Sequence, residues 1–435
     1  MIEYKTGGRF LFHGDKELEH FVSEVLLELE RNKMDAVRKW SKQLDHWEPK
    51  EFVLSDTQIA WAAEQVTQQA KGDIAYSQSN VRGFAEAAKK QFVPFEVEIR
   101  PGVVLGHRHI PVRNVGGYVP GGTYPLFGSA QMCIIPAKVA GCKYVTACTP
   151  PTRQGNPEFP CFPETIYAMQ QAGADRILLL GGVAAIGLMA FGLDGTEPAD
   201  LLCGAGNQYV EEAKRQLYGR CGIDLLAGPS ELLVIADESV SPAVVACDIL
   251  SQAEHGENTG LCIICFTELY AKACAEEIEK QLKTLPTAEV ATRSWYDNGK
   301  ILIVKDRQEA VDLANEYAPE HLELLVSDAE ADYYLSHLAS YGELYVGEAT
   351  TVAYGDKSAG PNHILPTSQA ARFTGGVWVG TFLKTVSYQK VTPSASASLG
   401  KVVKRLCDLE KMPGHALAAQ LRVEKYSSLD VSRDI

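Results

Sequence analysis

Hydrophobic and polar positions change their rhythm once along this chain, near Pro101. The first hundred residues are largely polar and read mainly as helix, over 16–31 and 56–92. Beyond Pro101, short runs rich in Val, Ile and Leu at 144–148, 176–180 and 201–203 alternate with helical stretches at 129–140, 164–172 and 207–218. A second series begins near Ser230, with strands expected at 231–236, 261–266, 301–304 and 321–326 and helices at 242–255, 268–282 and 307–317. Alternation of this kind predicts βαβ units and parallel sheets. The expected fold class is therefore α/β: two successive α/β units, breaking around 219–229, with a helical N-terminal segment and a helical C-terminal tail. The corresponding boundaries are 1–100, 101–228, 229–375 and 376–435. Residues 350–374 carry few periodic signals and many Gly, Pro, Ser and Thr, and so long an irregular stretch in a compact protein is usually functional.

Composition narrows the class. The 435 residues are 46% hydrophobic, 22% charged and 9% aromatic, ordinary for globular protein, and suffice for two to four domains. A formal charge of −14 argues against broad nucleic-acid or anionic-membrane binding. The longest uncharged stretch, 114–137, is too rich in Gly and Pro to span a membrane. Glu3 and Lys5 interrupt any leader-like apolar run, so the expected setting is cytoplasmic. Eleven cysteines then read as reduced thiols in apolar settings. The one C-x-x-C, Cys262 and Cys265, lies in a strand-like run that points the two sulfurs to opposite faces.

Four motifs carry candidate chemistry. In QAEHG, the Ser241 N-cap and Pro242 start a helix that places Gln252 and His255 three apart on one face, a carboxamide and an imidazole able to hold a metal if further ligands join them. In YAPEHLELLV, Pro319 puts Glu320 and His321 at a turn entering a strand, the residue types for proton transfer near neutral pH. YGDKSAGPNHILPT supplies Asp356 and His363 in a loop that can fold over a pocket, and LEKMPGHAL supplies Glu410 and His415 beside a helix break. Each motif taken alone reads more readily as a solvated turn, surface loop or helix end; their joint presence is what needs explaining.

The two α/β units are expected to be Rossmann-like, yet the G-x-G-x-x-G dinucleotide fingerprint is missing. Two segments can substitute. LLLGGVAAIG reads as a strand, a glycine pair and a helix start that present backbone N–H groups to phosphate, and VGGYVPGGTYPLFGS offers Tyr118 for stacking and a glycine loop at Gly121 and Gly122.

Taken in order, YVPGGT, GAGN, GPSELLVIAD, QAEHG, APEHLEL, GDKSAGPNHILPT and a late GH resemble the histidinol dehydrogenase family, over about 115–423. The resemblance implies a zinc-dependent, NAD-linked oxidation of a primary alcohol to a carboxylate through an aldehyde, by a homodimer that exchanges its C-terminal segments. It implies zinc ligands Gln252, His255, Asp356 and His415, the last from the partner chain. It makes His321 the acceptor of the alcohol proton and Glu320 the group that activates water to hydrate the aldehyde. Ser230, His363 and Glu410 match substrate-contacting positions, and Tyr118 and Asn207 match NAD contacts. One departure is Ala184, where the family commonly has a cofactor-contacting Gln.

The substrate divides the resemblance. Family members acting on histidinol usually carry an aromatic residue after the zinc-binding Asp, and this chain has Lys357. GDKSAGPNH, FTGGVWVGTFLKTVSYQKV and LEKMPGH look more like the sulfopropanediol dehydrogenase branch, which oxidises 2,3-dihydroxypropane-1-sulfonate to sulfolactate. A lysine beside the metal suits a sulfonate. Against this, Glu410 matches the position holding histidinol's amino group, and the glycine loop and GPSE look closer to histidinol dehydrogenase. The expectation is the sulfonate diol, with histidinol as the alternative and another polyol or amino alcohol in reserve. A non-catalytic metal-binding α/β protein and a zinc hydrolase are disfavoured, because an acid–base pair adds nothing to a structural site and no His-rich ligand triad is present.

Overall fold

In the computed structural model, which describes residues 1–8, 15–121, 124–152 and 158–427, the chain begins with a short strand, β1 (Ile2–Lys5). Three helices follow, α1 (Lys16–Asp45), α2 (Asp56–Gln65) and α3 (Gln68–Lys89). The first two start where a side chain takes up free N–H groups: Asp15 accepts from Glu17 and Leu18, and Ser55 forms a reciprocal capping box with Gln58. After β2 (Phe95–Arg100) and β3 (Val103–Pro111) the alternation sets in. It runs β4 (Asn114–Tyr118), α4 (Gly128–Ala140), β5 (Tyr144–Thr149), α5 (Pro163–Ala172), β6 (Arg176–Leu179), α6 (Gly182–Phe191), β7 (Leu201–Cys203), α7 (Gln208–Leu217) and β8 (Gly222–Ile223). It repeats as β9 (Glu231–Ala236), α8 (Pro242–Ala253), β10 (Gly260–Cys265), α9 (Glu268–Leu282), α10 (Ala288–Asn298), β11 (Gly299–Ile303), α11 (Arg307–Tyr317), β12 (His321–Leu325), α12 (Asp328–His337) and β13 (Glu343–Val346). A short helix, α13 (Val352–Lys357), then β14 (Leu383–Val391), α14 (Pro393–Leu409) and α15 (Pro413–Tyr426) complete it.

Contacts group these elements into two units: Met1–Lys89 with Val112–Phe382, and Lys90–Pro111 with the chain from Leu383 onward. In the first unit, two parallel sheets share one strand order, β6-β5-β4-β7-β8 and β11-β10-β9-β12-β13, with β1 added antiparallel to β11. Each is wound outward in both directions from its first strand, leaving a switch point between β4 and β7 and another between β9 and β12. α1, α6 and α7 bury one core against the first sheet, and the second sheet has a core on each face. Cys265 lies in one of these cores and Cys262 in the other, as strand alternation requires. All eleven cysteines are free thiols, and Cys247 alone is exposed. No helix among the described residues is long and apolar enough to cross a membrane.

The second unit pairs β14, β3 and β2 in an antiparallel sheet beside the α14–α15 hairpin. Its boundaries differ from those read off the sequence: β2 and β3, expected in the helical segment and the first α/β domain, group with the tail, and the tail opens with a nine-residue strand. FEVEIR does alternate like a strand, but all six residues are exposed, so no burial marks it. β1 is a polar edge strand for the same reason, and the expected 56–92 helix breaks at Val66, whose backbone is extended.

A buried ion triad stitches the first sheet's switch point. Lys214 Nζ lies 2.8 Å from Asp224 Oδ1 and 3.3 Å from Glu211 Oε2, with both partners' side chains also buried, and donates to the Gly204 carbonyl at 2.9 Å. The carboxylates in turn accept the N–H groups of Gly204, Gly206 and Ala227. Burial pushes Glu211 up to about 7 even beside this cation. Lys214→Met, which strands two buried carboxylates, should lower stability by about 3–5 kcal/mol in urea unfolding; an unchanged midpoint would show the triad to be dispensable.

Candidate active site

The site forms at the amino edge of the second sheet, where β9 and β12 run side by side. α11 ends at Ala318 in the left-handed conformation (φ 48), and Pro319 cannot continue the helix, so the chain drops Glu320 and His321 into the mouth of β12. Gly342 lets the turn before β13 pass against this corner: a Cβ there would sit 2.4 Å from the Glu320 carbonyl. His321 Nδ1 lies 3.0 Å from the Glu231 carbonyl and 3.3 Å from Glu320 Oε2. Two acceptors on one nitrogen require Nδ1 to carry a proton, which leaves Nε2 as the exchangeable end. That Nε2 is buried without a partner among the described residues. Glu320 Oε2 also accepts Ser230 Oγ at 2.6 Å and the Glu231 N–H at 2.9 Å, leaving Oε1 for substrate or water.

Ser241 caps α8 and Pro242 opens it, as the sequence predicts, but the helix ends at Ala253 rather than 255, so Gln252 lies in its last turn and His255 in the turn that follows. The Gln252 amide bonds Ser230 Oγ and lies 3.3 Å from His255 Nδ1, so a continuous polar chain runs His255–Gln252–Ser230–Glu320–His321. α13 supplies Asp356, whose carbonyl accepts His363 Nδ1–H at 2.9 Å; His363 Nε2 then accepts from Ser129 Oγ on α4 at 3.1 Å. Lys357 follows Asp356 with an exposed side chain, its Nζ 4.0 Å from Asp356 Oδ2.

Ser230, His255, Glu320, His321, Asp356, Lys357 and His363 line one cavity of about 470 Å³, with Gln252 behind its wall. Tyr124, Ser129, Glu254 and Thr287 line it too; the first three lie inside the VGGYVPGGTYPLFGS and QAEHG segments without standing out there, and nothing in its local sequence marks Thr287. His255 opens onto the cavity, yet enough protein surrounds the ring that desolvation lowers its pKa; desolvation lowers His363 likewise. Burial by itself would raise Asp356, but His363, His321, Lys357 and His255 more than offset it and hold the carboxylate below its usual range. Burial likewise opposes charge on His321, and Glu320 overrides it, lifting the imidazole to about 9.

Other expected site residues lie elsewhere. Tyr118 closes β4 at the carboxyl edge of the first sheet; the residue is 4% exposed and its hydroxyl accepts the Gly182 N–H at 3.2 Å. Asn207 spends its side chain capping α7, accepting from Tyr209 and Val210. Both flank the first switch point, the usual nucleotide edge of such a sheet. Ala184 is buried in the first turn of α6, and Gly122 lies outside the described residues. Glu410 and His415 belong to the second unit and are exposed on its helical pair.

For a metal, one chain brings together a carboxamide, an imidazole and a carboxylate; no group of three or more His, Cys, Asp or Glu suited to an ion occurs among the described residues. Gln252, His255 and Asp356 are fit donors for zinc but fall one short of a tetrahedral set.

Two doubly wound sheets and a cavity lined by a buried Glu–His pair define an α/β protein with a composite polar site. The histidinol dehydrogenase family model matches residues 13–423. The chain is 47% identical to a histidinol dehydrogenase homolog of Shouchella clausii, over 95% of this chain and 96% of that protein. It is 39% identical to the sulfopropanediol 3-dehydrogenase of Ruegeria pomeroyi, over 98% and 97% respectively. The crystal structure of histidinol dehydrogenase from Elizabethkingia anophelis superimposes with a TM-score of 0.89 at 32% identity, covering 96% of this chain and 94% of that one. The chain belongs to the histidinol dehydrogenase family, oxidoreductases acting on CH–OH groups.

The charge on His321 has a measurable consequence. In zinc-free protein its folded pKa, raised from 6.5 to about 9, contributes stability in full below pH 6.5 that is lost as pH rises through about 9. Thermal melts of wild type and His321→Gln should therefore diverge below that window and converge above it, and parallel curves would show the ring to be uncharged.

Proposed function

We propose that this chain is a zinc-dependent, NAD-linked dehydrogenase that carries a primary alcohol through the aldehyde to the carboxylate. The observation that carries the reading is the shared polar chain from His255 and Gln252 through Ser230 to Glu320 and His321, with Asp356 on the same cavity. Gln252, His255 and Asp356 would hold zinc, with His415 of a second subunit as the fourth ligand. Zinc, when bound, supplies a Lewis acid that eases loss of the alcohol proton, and NAD supplies the hydride acceptor.

The chain's own residues do the rest. His321 is oriented by the Glu231 carbonyl so that Nε2 faces proton exchange, and a nearby divalent charge would oppose its imidazolium form and free it as a base. Glu320, its Oε2 occupied, takes the proton of water at Oε1 as the aldehyde is hydrated, which regenerates a C–H carbinol for the second hydride transfer. Ser230 holds Glu320 in place, and with His363 and Glu410 it would contact substrate. Tyr118 and Asn207, at the first switch point, would contact NAD.

For the substrate we favour 2,3-dihydroxypropane-1-sulfonate. Lys357 places a cation on the cavity wall beside Asp356, and the likeness to the sulfopropanediol 3-dehydrogenase of Ruegeria pomeroyi extends over nearly both chains. Histidinol is the second reading, on the likeness to the Elizabethkingia enzyme. The proposed enzyme is a cytoplasmic homodimer exchanging C-terminal segments; exposed Leu406, Leu409, Leu417 and Leu421 on the α14–α15 hairpin suit burial against another chain.

An NAD-reduction screen with both alcohols and added zinc tests this directly. Two NADH should form per alcohol consumed; a ratio of one would place the end point at the aldehyde. His255→Ala should lose most of its zinc by elemental analysis, and full metal content would remove His255 from the ligand set. Lys357→Tyr should weaken sulfonate turnover far more than histidinol turnover, and equal losses would dispose of the sulfonate pocket.

A further inference from the structure

Behind the cavity, α8, β12 and α13 meet at two carboxyls that the chemistry above leaves unused. Asp248 stands one turn before Gln252 on α8, and Glu323 lies two residues beyond His321 on β12. Glu323 is fully buried and Asp248 is 8% exposed. Asp248 Oδ1 accepts Thr351 Oγ1 at 3.0 Å, and Glu323 Oε1 accepts the Val352 N–H at 3.0 Å. Thr351 and Val352 are the N-cap and first residue of α13, the six-residue helix that carries Asp356. Glu323 Oε2 meets no donor among the described residues, and the Asp248 carboxyl lies within hydrogen-bonding reach of Glu323. Two carboxylates cannot bond each other without a proton between them, and a single shared proton would relieve the repulsion of two buried charges. Burial first, and then the neighbouring carboxyl, raise the pKa of Glu323; burial raises Asp248 as well.

Resting on the metal reading above, we infer that Asp248 and Glu323 form a one-proton carboxyl pair that fixes α8, β12 and α13 together and thereby positions Gln252, His255 and Asp356 around the ion. Neither residue touches substrate or metal; both are positioning residues. The arrangement is economical, because the same two side chains fasten the helix delivering two donors to the short helix delivering the third. α13 is too short to hold itself in register, and with only six residues its first turn depends on outside partners. A carboxamide can imitate the protonated member: Gln at position 323 offers Oε1 to the Val352 N–H and an N–H to Asp248, whereas Leu offers neither.

The test is zinc affinity by chelator competition on purified full-length protein, with circular dichroism to confirm folding. Glu323→Gln should hold zinc within about twofold of wild type, and Glu323→Leu should lose about 10–100-fold, the usual consequence of removing an outer partner of metal ligands. The double variant Asp248→Leu/Glu323→Leu separates stability from positioning: apolar groups replacing both partners should restore much of the thermal stability while zinc affinity stays low. Wild-type affinity in the Leu variants, or a loss in Glu323→Gln equal to that in Glu323→Leu, would overturn the inference and leave the metal reading intact. Failure of the wild-type protein itself to bind zinc would overturn both.

Discussion

The contact on which the site depends is the hydrogen bond from His321 Nδ1 to the main-chain carbonyl of Glu231. It crosses from β12 to β9, so strand pairing and the neighbouring Glu320 carboxylate together keep the proton on Nδ1. Because side chains alternate along a strand, a slip of one residue between β12 and β9 would turn His321 and Glu323 to the opposite face together. The observed register, His321 beside Leu232, keeps Glu320 within reach of Ser230 Oγ and the Glu231 N–H, and keeps Glu323 beneath α13. The proposed acid–base pair and the proposed metal cradle would thus be two outputs of a single pairing.

The two sheets share a strand order but use opposite edges. Tyr118 and Asn207 lie at the carboxyl edge of the first, where doubly wound sheets usually bind nucleotides. Glu320, His321, Gln252 and His255 lie at the amino edge of the second, which by itself offers no helix N-termini to a ligand. The irregular stretch after β13 compensates. Asn362 bonds the Met132 carbonyl and His363 bonds Ser129, both on α4 of the first sheet, so this stretch brings Asp356 and Lys357 to the second sheet's edge while anchored to the first. Asp356 and Lys357 ride on the short helix α13, and the irregular residues after it, free of strand and helix pairing, can reach back to α4 and so satisfy both sides.

Much of this was legible in the sequence. Glu231–Ala236, Glu268–Leu282 and Arg307–Tyr317 fall where the apolar pattern puts them, since each buries one face or both. The four motifs could be read as candidate chemistry because their residue types are unusual together. What escaped has physical causes. β1 and β2 bury nothing that patterning could register. Ser129 and Thr287 reach the cavity through tertiary packing alone. Glu323 did carry a signal, a carboxyl inside the apolar run HLELLV, but its meaning needed Asp248, seventy-five positions earlier (323 − 248), and only the fold brings the two together.

Electrostatics then bears on selectivity. The cavity wall carries Glu320, Asp356 and Glu254 against one exposed cation, Lys357. Taken bare, that balance repels a sulfonate, and zinc would reverse it by adding two positive charges beside Asp356. Lys357 then contributes to discrimination rather than to binding as such. While its ammonium stays in water, a pair with a sulfonate gains about 0–1 kcal/mol, less than tenfold in affinity. A larger preference requires the ammonium to lose water, and its own chain leaves the Lys357 side chain 66% exposed. Strong selectivity for an anionic alcohol would therefore have to come from whatever covers the mouth of the cavity. In the proposed homodimer that exchanges C-terminal segments, that cover would be a second subunit, and substrate choice and assembly would become one property.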